Sequence, residues 1–431
     1  MKFGSFQTGV DIQGEVAPWQ PQPRPEWVSA LNYLAADMAV GGVAAIDLRA
    51  ETLLAQAMEK TGLSNFGDDA FKQGLTVLTQ SLIEEAELNF VGTVIARDEI
   101  LSALETRLRV FDMIDRHPEI LQQEIQAPVF IGGSGRTGSS LTHELLQQDP
   151  NHRAVWWWEM REPAMAPDQS LAEREQRIDD YDKAIGFCNL VTPEIMTCHA
   201  VGARIVTECV TIFWQEFLSP YFSFFYHVPS YSHWLATADM RPAYDYHKKF
   251  LQVLQWQQPR KRWVLKTAGH ITDMGTVLAV YPDAKFVNTH RDPLRVLASL
   301  GGYHGAAIWM HSEKIPNVRA MLEGASLGML AQYNRTIEMK QAGTPAEDAI
   351  YDLRYADLVK DPIAEMRALY QQLGWHYTPE AEEAMRAYLA KNKKGKHGRY
   401  DYSFADTGLD LALLRERFTD YQKHYGIPSE V

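Results

Sequence analysis

This chain of 431 residues is poor in cysteine, in long apolar runs and in net positive charge. Its three cysteines, Cys188, Cys198 and Cys209, cannot all pair, and no two of them form a C-x-x-C motif. We therefore expect reduced, buried thiols, and the sequence predicts no metal site. No stretch approaches the roughly 18 consecutive apolar residues of a membrane-spanning helix, so we expect no stable membrane insertion. The net charge of −13 argues against a general nucleic-acid-binding protein.

Length and composition allow a substantial core. With 46% hydrophobic residues, the chain has enough material for one large α/β domain with a helical appendage, or for two domains. The first seven residues lack the apolar core of a signal peptide, which predicts a cytoplasmic location.

A glycine-rich turn at residues 129–140 is the most informative stretch, because an apolar strand precedes it and a helix opens directly after it. Unpaired N–H groups at a helix start, together with close approach at glycines, form a cradle for a phosphate group. Gly133 and Gly138 fit the pattern G-x-x-x-x-G-K-[ST] of nucleotide-hydrolysing proteins, but Ser139 stands at the lysine position. The basic side chain, Arg136, lies inside the loop instead.

The pattern along the chain changes near residue 126. Residues 18–25 carry four prolines and predict an extended lead-in. Apolar residues at helical spacing then predict helices over 51–58 and 95–114. From residue 126, short apolar strands alternate with helices, which is typical of a parallel sheet covered on both faces. We expect an N-terminal helical region over 1–125, packed as a cap on an α/β domain over 126–431. An independent functional module is the alternative for the helical region.

Three further blocks follow the loop. They are residues 263–270 (WVLKTAGH), 284–293 (AKFVNTHRDP) with Ser299, and 351–358 (YDLRYADL) with Asp361-Pro362. Together with the loop, and in this order, the blocks resemble those of sulfotransferases that use 3′-phosphoadenosine 5′-phosphosulfate (PAPS), particularly the bacterial branch. The resemblance spans roughly residues 126–425. It implies a P-loop-like parallel sheet, transfer of a sulfuryl group to the hydroxyl of a small acceptor, PAP as the product and no required metal.

The resemblance also implies roles for particular residues. Arg136 and Lys266 would stabilise the charge that develops on the bridging oxygen. Arg291 and Ser299 would hold the 3′-phosphate. Tyr355 would lie beside the adenine. The residues implied for the 5′-phosphate and sulfonate are Gly135, Arg136, Thr137, Gly138, Ser139 and Ser140, and those implied to close over the 3′-phosphate are Lys394 and Gly395.

Two residues compete for the role of general base. His270, four positions after Lys266, resembles the histidine of the cytosolic branch, although the gap there is shorter. Glu159, after three tryptophans, resembles the glutamate of the tyrosylprotein and carbohydrate branches, and a carboxylate beside tryptophans has a raised pKa when it is desolvated. Their structural alternatives are a helix-capping histidine and a glutamate paired with an arginine. Glu208, next to Cys209, is a third and weaker candidate, which we interpret rather as a buried structural partner.

The acceptor is less well specified. Nine aromatic residues between Trp214 and Trp234 predict either an apolar acceptor pocket or a core of packed helices. A pocket of this kind fits a phenol, sterol or lipid alcohol better than a charged polysaccharide. A P-loop kinase and a non-catalytic nucleotide-binding protein are the alternative functions, and a homo-oligomer is compatible with the sequence.

Overall fold

The computed structural model describes residues 20–164, 170–199, 201–258, 262–314, 317–393 and 400–431. Strands in these ranges are β1 Val129–Gly133, β2 His152–Arg153, β3 Arg262–Lys266, β4 Lys285–His290 and β5 Ile350–Arg354. The helices are α1 Glu26–Val40, α2 Ala50–Thr61, α3 Ala70–Glu84, α4 Phe90–Arg116, α5 Ser139–Leu146, α6 Trp157–Arg161, α7 Leu171–Val191, α8 Ile195–Cys198, α9 Cys209–Ile212, α10 Pro220–Phe225, α11 Pro229–Leu235, α12 Arg241–Gln257, α13 Met274–Val280, α14 Pro293–His311, α15 Val318–Gln341, α16 Tyr355–Lys360, α17 Pro362–Gln372, α18 Pro379–Lys391 and α19 Leu411–Tyr425.

The described strands form one parallel sheet in the order β2-β3-β1-β4-β5, with β1 in the centre. Its register places Ile131 opposite Lys266 on one side, and Gly133 opposite Thr289 on the other. Parallel strands that are covered on both faces have near-continuous apolar sequences, and β1 is buried along its whole length. The predicted α/β fold with a P-loop-like parallel sheet is confirmed.

Side chains alternate between the two faces of the sheet, as the period of a strand requires. Val129 and Ile131 pack with Leu145 of α5 on one face. Phe130 packs on the opposite face with Leu251 of α12. All of these side chains are fully buried, so truncating Phe130 to alanine should cost about 3–5 kcal/mol of stability. This packing holds the carboxyl ends of the strands at fixed positions.

The helices before residue 126 share a core with a later part of the chain. Leu104 of α4 and Phe71 of α3 belong to one buried cluster with Phe217 and Tyr231. Arg107, fully buried on α4, forms an ion pair with Glu216. The N-terminal helices and residues 214–231 therefore contribute side chains to the same core. A domain boundary at 125/126 stays a prediction.

Cys198 and Cys209 are buried, and Cys188 is half-buried. Burial raises the pKa of the Cys188 and Cys198 thiols to about 12, so both are protonated and unreactive at neutral pH. Among the described helices, none is both long and apolar enough to cross a bilayer.

Candidate active site

The carboxyl ends of four strands meet along one edge of the sheet, because all the strands run in the same direction. Residues 134–138 form the loop after β1, Lys266 ends β3, Arg291 follows β4 and Tyr355 follows β5. Ligands of open parallel sheets bind outside this edge. The topology therefore gathers residues that lie far apart in the sequence.

The loop after β1 owes its shape to two residues in the left-handed region, Arg136 with φ of 66° and Gly138 with φ of 91°. A Cβ atom at Gly138 would lie 2.9 Å from Leu358 and 3.1 Å from the ring of Tyr355, so a side chain there would force these neighbours to shift and would strain the backbone. A left-handed residue with a side chain costs about 1 kcal/mol or more. Such a conformation at Arg136 persists because the contacts around the loop determine its path.

Two loop hydroxyls are used inside the protein. Thr137 Oγ1 donates to the carbonyl of Ser134 at 2.6 Å and lies 2.6 Å from Thr289 Oγ1 of β4. The Ser134 hydroxyl lies 2.8 Å from that of Tyr333 on α15. Ser139 is buried at the start of α5, whereas Ser140 is exposed. Of these hydroxyls, that of Ser140 faces the open side of the loop.

Arg136 joins the loop to two helices. Its Nε donates to Ser299 Oγ of α14 at 2.9 Å, and its Nη1 donates to the carbonyl of Cys198, at the end of α8, at 2.7 Å. Ser299 is fully buried. The structure thus brings together two residues that the sequence predicts at the cofactor site.

Arg291 lies on the other side of the loop. Its Nη1 donates to the carbonyl of Arg136 at 3.1 Å, and its guanidinium stacks over the ring of Tyr355 at 4.0 Å. Its Nε and Nη2 both donate to the carboxylate of Glu430, each at 2.8 Å. Arg291, Tyr355 and the loop therefore form one contiguous cluster.

Lys266 extends from the end of β3 towards the start of α5. Its Nζ lies 3.5 Å from Ser140 Oγ and forms an ion pair with the carboxylate of Glu208. His199 Nε2 lies 3.8 Å from the same carboxylate oxygen. Burial raises the pKa of the Glu208 carboxyl, but the positive charge of Lys266 is the main effect that outweighs burial and holds the pKa below the ordinary value. Glu208 is therefore ionised at neutral pH. Its side chain is 25% exposed to solvent.

His270 lies in the short helical turn after Lys266, and its ring is packed among the aromatic side chains of Phe130, Phe213 and Tyr244. The ring is fully buried and packs edge-on against Phe130, with 4.7 Å between the ring centroids. Its Nδ1 is hydrogen-bonded to the Tyr244 hydroxyl at 2.9 Å. Burial holds the pKa of His270 well below its ordinary value, with smaller contributions from His247 and Lys266. The imidazole is neutral, and the surrounding rings separate it from solvent.

Glu159 is paired with an arginine, which is the structural alternative to a general base that the sequence analysis named for it. One carboxylate oxygen accepts from Arg153 at 2.5 Å, and the other accepts from the backbone N–H of Trp156 at 3.0 Å, which caps α6. The side chain is 2% exposed. Both oxygens of Glu159 are thus occupied within the protein.

Two groups of residues from the sequence analysis remain: Lys394 with Gly395, and the aromatic residues between Trp214 and Trp234. Lys394 and Gly395 lie outside the described residues. Most members of the aromatic cluster form core rather than pocket: Trp214, Phe217, Phe222, Tyr226 and Tyr231 are each at most 2% exposed. Phe224 differs, because its half-buried ring stacks on His304 at 4.5 Å and lies 4.7 Å from Tyr303.

Sequence reasoning missed three contributors: His199, Glu430 and the pairing of Glu208 with Lys266. His199 follows α8, Glu208 precedes α9, and Glu430 follows α19. No motif or periodicity marks these positions. One signal in the sequence could have indicated them. Several basic residues are predicted at one site of an acidic chain, and such clustered basic side chains need acidic partners when no ligand is bound.

Comparison with known proteins agrees with the geometry. The model of the Sulfotransferase family matches residues 128–379, which is more than half of the chain and includes the loop, Lys266, Arg291 and Ser299. The chain belongs to the sulfotransferase family. This sulfotransferase is 26% identical over 318 residues to the omega-hydroxy-beta-dihydromenaquinone-9 sulfotransferase Stf3 of Mycobacterium bovis and of Mycobacterium tuberculosis. The match covers 69% of this chain and 75% of Stf3.

Two solved structures share the fold over nearly their whole length. Sulfotransferase STF1 from Mycobacterium tuberculosis H37Rv is 28% identical with a TM-score of 0.74, and the match covers 88% of this sulfotransferase and 99% of STF1. Sulfotransferase STF9 from Mycobacterium avium is 25% identical with a TM-score of 0.78, and the match covers 90% and 100% of the two chains. The similarity extends beyond the sheet to most of the helices.

Proposed function

We propose that this sulfotransferase transfers the sulfuryl group of PAPS to a hydroxyl of an apolar small molecule. The observation that carries the proposal is the convergence of Arg136, Lys266 and Arg291 around one loop in a chain of net charge −13. Lys266 and Arg291 are paired with Glu208 and Glu430 here, and a ligand with phosphates at two positions would take the place of these carboxylates. The loop, which lacks the usual lysine, suits a donor other than a nucleoside triphosphate.

The proposed roles follow from the positions of the side chains. The N–H groups at the start of α5 would hold the 5′-phosphate and sulfonate. Arg291 and Ser299 would hold the 3′-phosphate, and the ring of Tyr355 beneath the Arg291 guanidinium would border the adenosine. Arg136 and Lys266 would stabilise the negative charge on the bridging oxygen as the bond from sulfur to that oxygen breaks.

For the general base, we propose Glu208 in place of His270 and Glu159. A base must reach the proton of the acceptor hydroxyl. His270 is enclosed by aromatic rings, and Glu159 has both oxygens occupied, whereas Glu208 is partly exposed and shares Lys266 with the loop. The acceptor oxygen would bond to sulfur while its proton passes to Glu208. When Lys266 turns towards the donor, Glu208 loses its closest cation and its pKa rises, which makes it a better proton acceptor.

An apolar acceptor is supported by two observations. The name of Stf3 gives an omega-hydroxy-beta-dihydromenaquinone-9 as the substrate of that protein. In this chain, the half-buried rings of Tyr303 and Phe224 lie against each other near the ion pair of Lys266 and Glu208. Burial raises the pKa of the Tyr303 hydroxyl, and the charge of Glu208 acts in the same direction. We propose a quinol, phenol or lipid alcohol as the acceptor.

The test combines donor binding with transfer. PAP or PAPS without magnesium should stabilise the protein by roughly 2.7 kcal/mol at about 100 times its Kd, and ATP should stabilise it far less. A panel of quinols, phenols, lipid alcohols and carbohydrates with labelled PAPS should then give labelled product from the apolar alcohols. Equal, magnesium-dependent stabilisation by ATP would overturn the choice of donor. Labelling confined to carbohydrates would overturn the choice of acceptor.

A further inference from the structure

The proposed 3′-phosphate subsite already holds an anion from the protein itself. Both carboxylate oxygens of Glu430 accept from Arg291, one from Nε and one from Nη2, each at 2.8 Å. This two-point pairing is the geometry with which arginine binds phosphate groups. The Arg291 side chain is 10% exposed and that of Glu430 is 30% exposed, so the pair is only partly screened by solvent.

The segment that carries Glu430 is fixed by the residue next to Arg291. Asp292 is fully buried and accepts from the backbone N–H of Glu430 at 2.6 Å. It also accepts from Arg415 of α19, at 2.8 and 2.9 Å, and from the N–H of Leu294 at the start of α14 at 3.1 Å. Asp292 therefore holds the Glu430 backbone beside the end of β4, independently of the Glu430 side chain.

We propose that Glu430 is an internal competitor for Arg291, which gives way to the 3′-phosphate when nucleotide binds and takes Arg291 back as PAP leaves. The inference rests on the proposed use of PAPS. A bound 3′-phosphate beside an ionised Glu430 would place like charges at one guanidinium, so the carboxylate has to swing away. Because Asp292 keeps the backbone in place, the displaced carboxylate stays close and returns rapidly.

The role explains why a carboxylate is useful at this point. Donor and product both carry the 3′-phosphate, so every interaction with that phosphate that tightens PAPS also tightens PAP. A displaceable carboxylate lowers the affinity for both and compensates Arg291 in the empty site. It acts only on nucleotides with a 3′-phosphate, since a ligand without that group leaves the pair of Glu430 and Arg291 intact.

The test is to compare Glu430→Gln with Glu416→Gln, which removes the same charge from an exposed position on α19 that has no ion pair among the described residues. Calorimetry with PAP should show binding tightened roughly two- to fivefold in Glu430→Gln, as expected for displacement of a partly exposed ion pair. Binding of 5′-AMP should not change, and Glu416→Gln should match the unaltered protein. In the Arg291→Ala background, Glu430→Gln should have no effect.

Three results would overturn the inference: weaker PAP binding in Glu430→Gln, which would make Glu430 an orienting partner of Arg291; unchanged binding; or equal tightening in Glu416→Gln. A failure of the donor assignment is separable from these results. If PAP binds none of the proteins, the proposed function fails, and inorganic phosphate becomes the probe. NMR of the Arg291 Nε–H should then show phosphate binding at lower concentration in Glu430→Gln than in the unaltered protein, and identical titrations would reject the competitor role.

Discussion

The Nε of Arg136 donates to the hydroxyl of Ser299 at 2.9 Å and so joins the loop after β1 to the second turn of α14, 163 residues further along the chain. Arg291 adds a second link, from its Nη1 to the carbonyl of Arg136. The proposed subsites for the 5′- and 3′-phosphates therefore share side chains. Substitutions there should be judged with pairs of ligands that differ in one phosphate.

Arg291→Ala should weaken binding of PAP by roughly tenfold to a hundredfold, because a hydrogen bond to a charged group contributes about 1.5–3 kcal/mol. Binding of adenosine 5′-phosphosulfate, which has no 3′-phosphate, should change little. Calorimetry with both ligands is the measurement, and Arg354→Ala is a control, because this exposed arginine at the end of β5 pairs with Asp357 instead. Equal weakening of both ligands would mean that Arg291 acts through the shape of the loop.

Glu208→Gln should lower kcat by roughly 10²–10⁴-fold, because general-base catalysis acts in the transition state. PAP binding should not weaken, since the substitution removes only a carboxylate that is paired with Lys266. An acceptor of low pKa, such as a nitrophenol, needs little help in losing its proton and should partly restore the rate. Steady-state kinetics with acceptors of graded pKa test this expectation. A loss that is independent of acceptor pKa would assign Glu208 to substrate positioning.

His270→Ala and Glu159→Gln are the matched comparisons, since both residues stay predictions from the sequence. Glu159→Gln should act mainly on stability, because it leaves the buried Arg153 without its carboxylate, and breaking a buried ion pair costs about 3–5 kcal/mol. His270→Ala should open a cavity beside Phe130. A large loss of kcat in a folded His270→Ala protein, with an unaffected Glu208→Gln, would return the base to His270.

The sequence predicted what local pattern determines. The strands β1, β3, β4 and β5 have apolar sequences bounded by turns, and their shared direction places Lys266, Arg291 and Tyr355 at one edge. It did not predict β2, because two residues are too few to show a period. The burial of His270 could not be predicted from the sequence either, because the short motif around it is the same whether the ring faces solvent or the core.

Pairs formed across long distances were the other gap. Glu208 reaches Lys266 only because the helices from α6 to α12 return the chain to the sheet edge, and no local periodicity encodes that path. Glu430 lies 139 residues from Arg291. Both pairs depend on tertiary packing, whereas the loop and its glycines depend on local backbone conformation. The domain boundary, the cytoplasmic location and a homo-oligomeric state stay predictions.

Lys266→Met should shift the acidic limb of the pH profile of kcat/KM to higher pH, besides lowering the rate. Burial raises the pKa of Glu208, and Lys266 is the largest of the charges that lower it. Without that charge, the Glu208 carboxyl becomes ionised only at higher pH, so the enzyme with an ionised base becomes predominant at a higher pH. Lys266→Arg keeps the charge and should leave the limb in place. An unshifted limb in Lys266→Met would mean that Glu208 does not govern it.

The last prediction concerns Glu99, which is buried on α4 and accepts from the hydroxyls of Tyr221 and Tyr226, each at 2.6 Å. Burial raises the pKa of Glu99 to about 7, although the two phenols act in the opposite direction. The folded protein thus keeps a proton that the unfolded chain loses near pH 4.5, the ordinary value. This contribution to stability is fully present below pH 4.5 and is lost as the pH rises to about 7.

Glu99→Gln removes that titration. The unfolding free energy of the unaltered protein minus that of Glu99→Gln should therefore fall by about 3 kcal/mol between pH 4.5 and pH 7, and stay level above it. Denaturant unfolding at half-unit steps of pH measures the difference, and taking the difference cancels other groups, including Glu216. Glu59→Gln, an exposed glutamate of α2, is the control and should give a flat difference. A flat difference for Glu99→Gln as well would mean that Glu99 is already ionised in the folded protein and that the two tyrosines outweigh its burial.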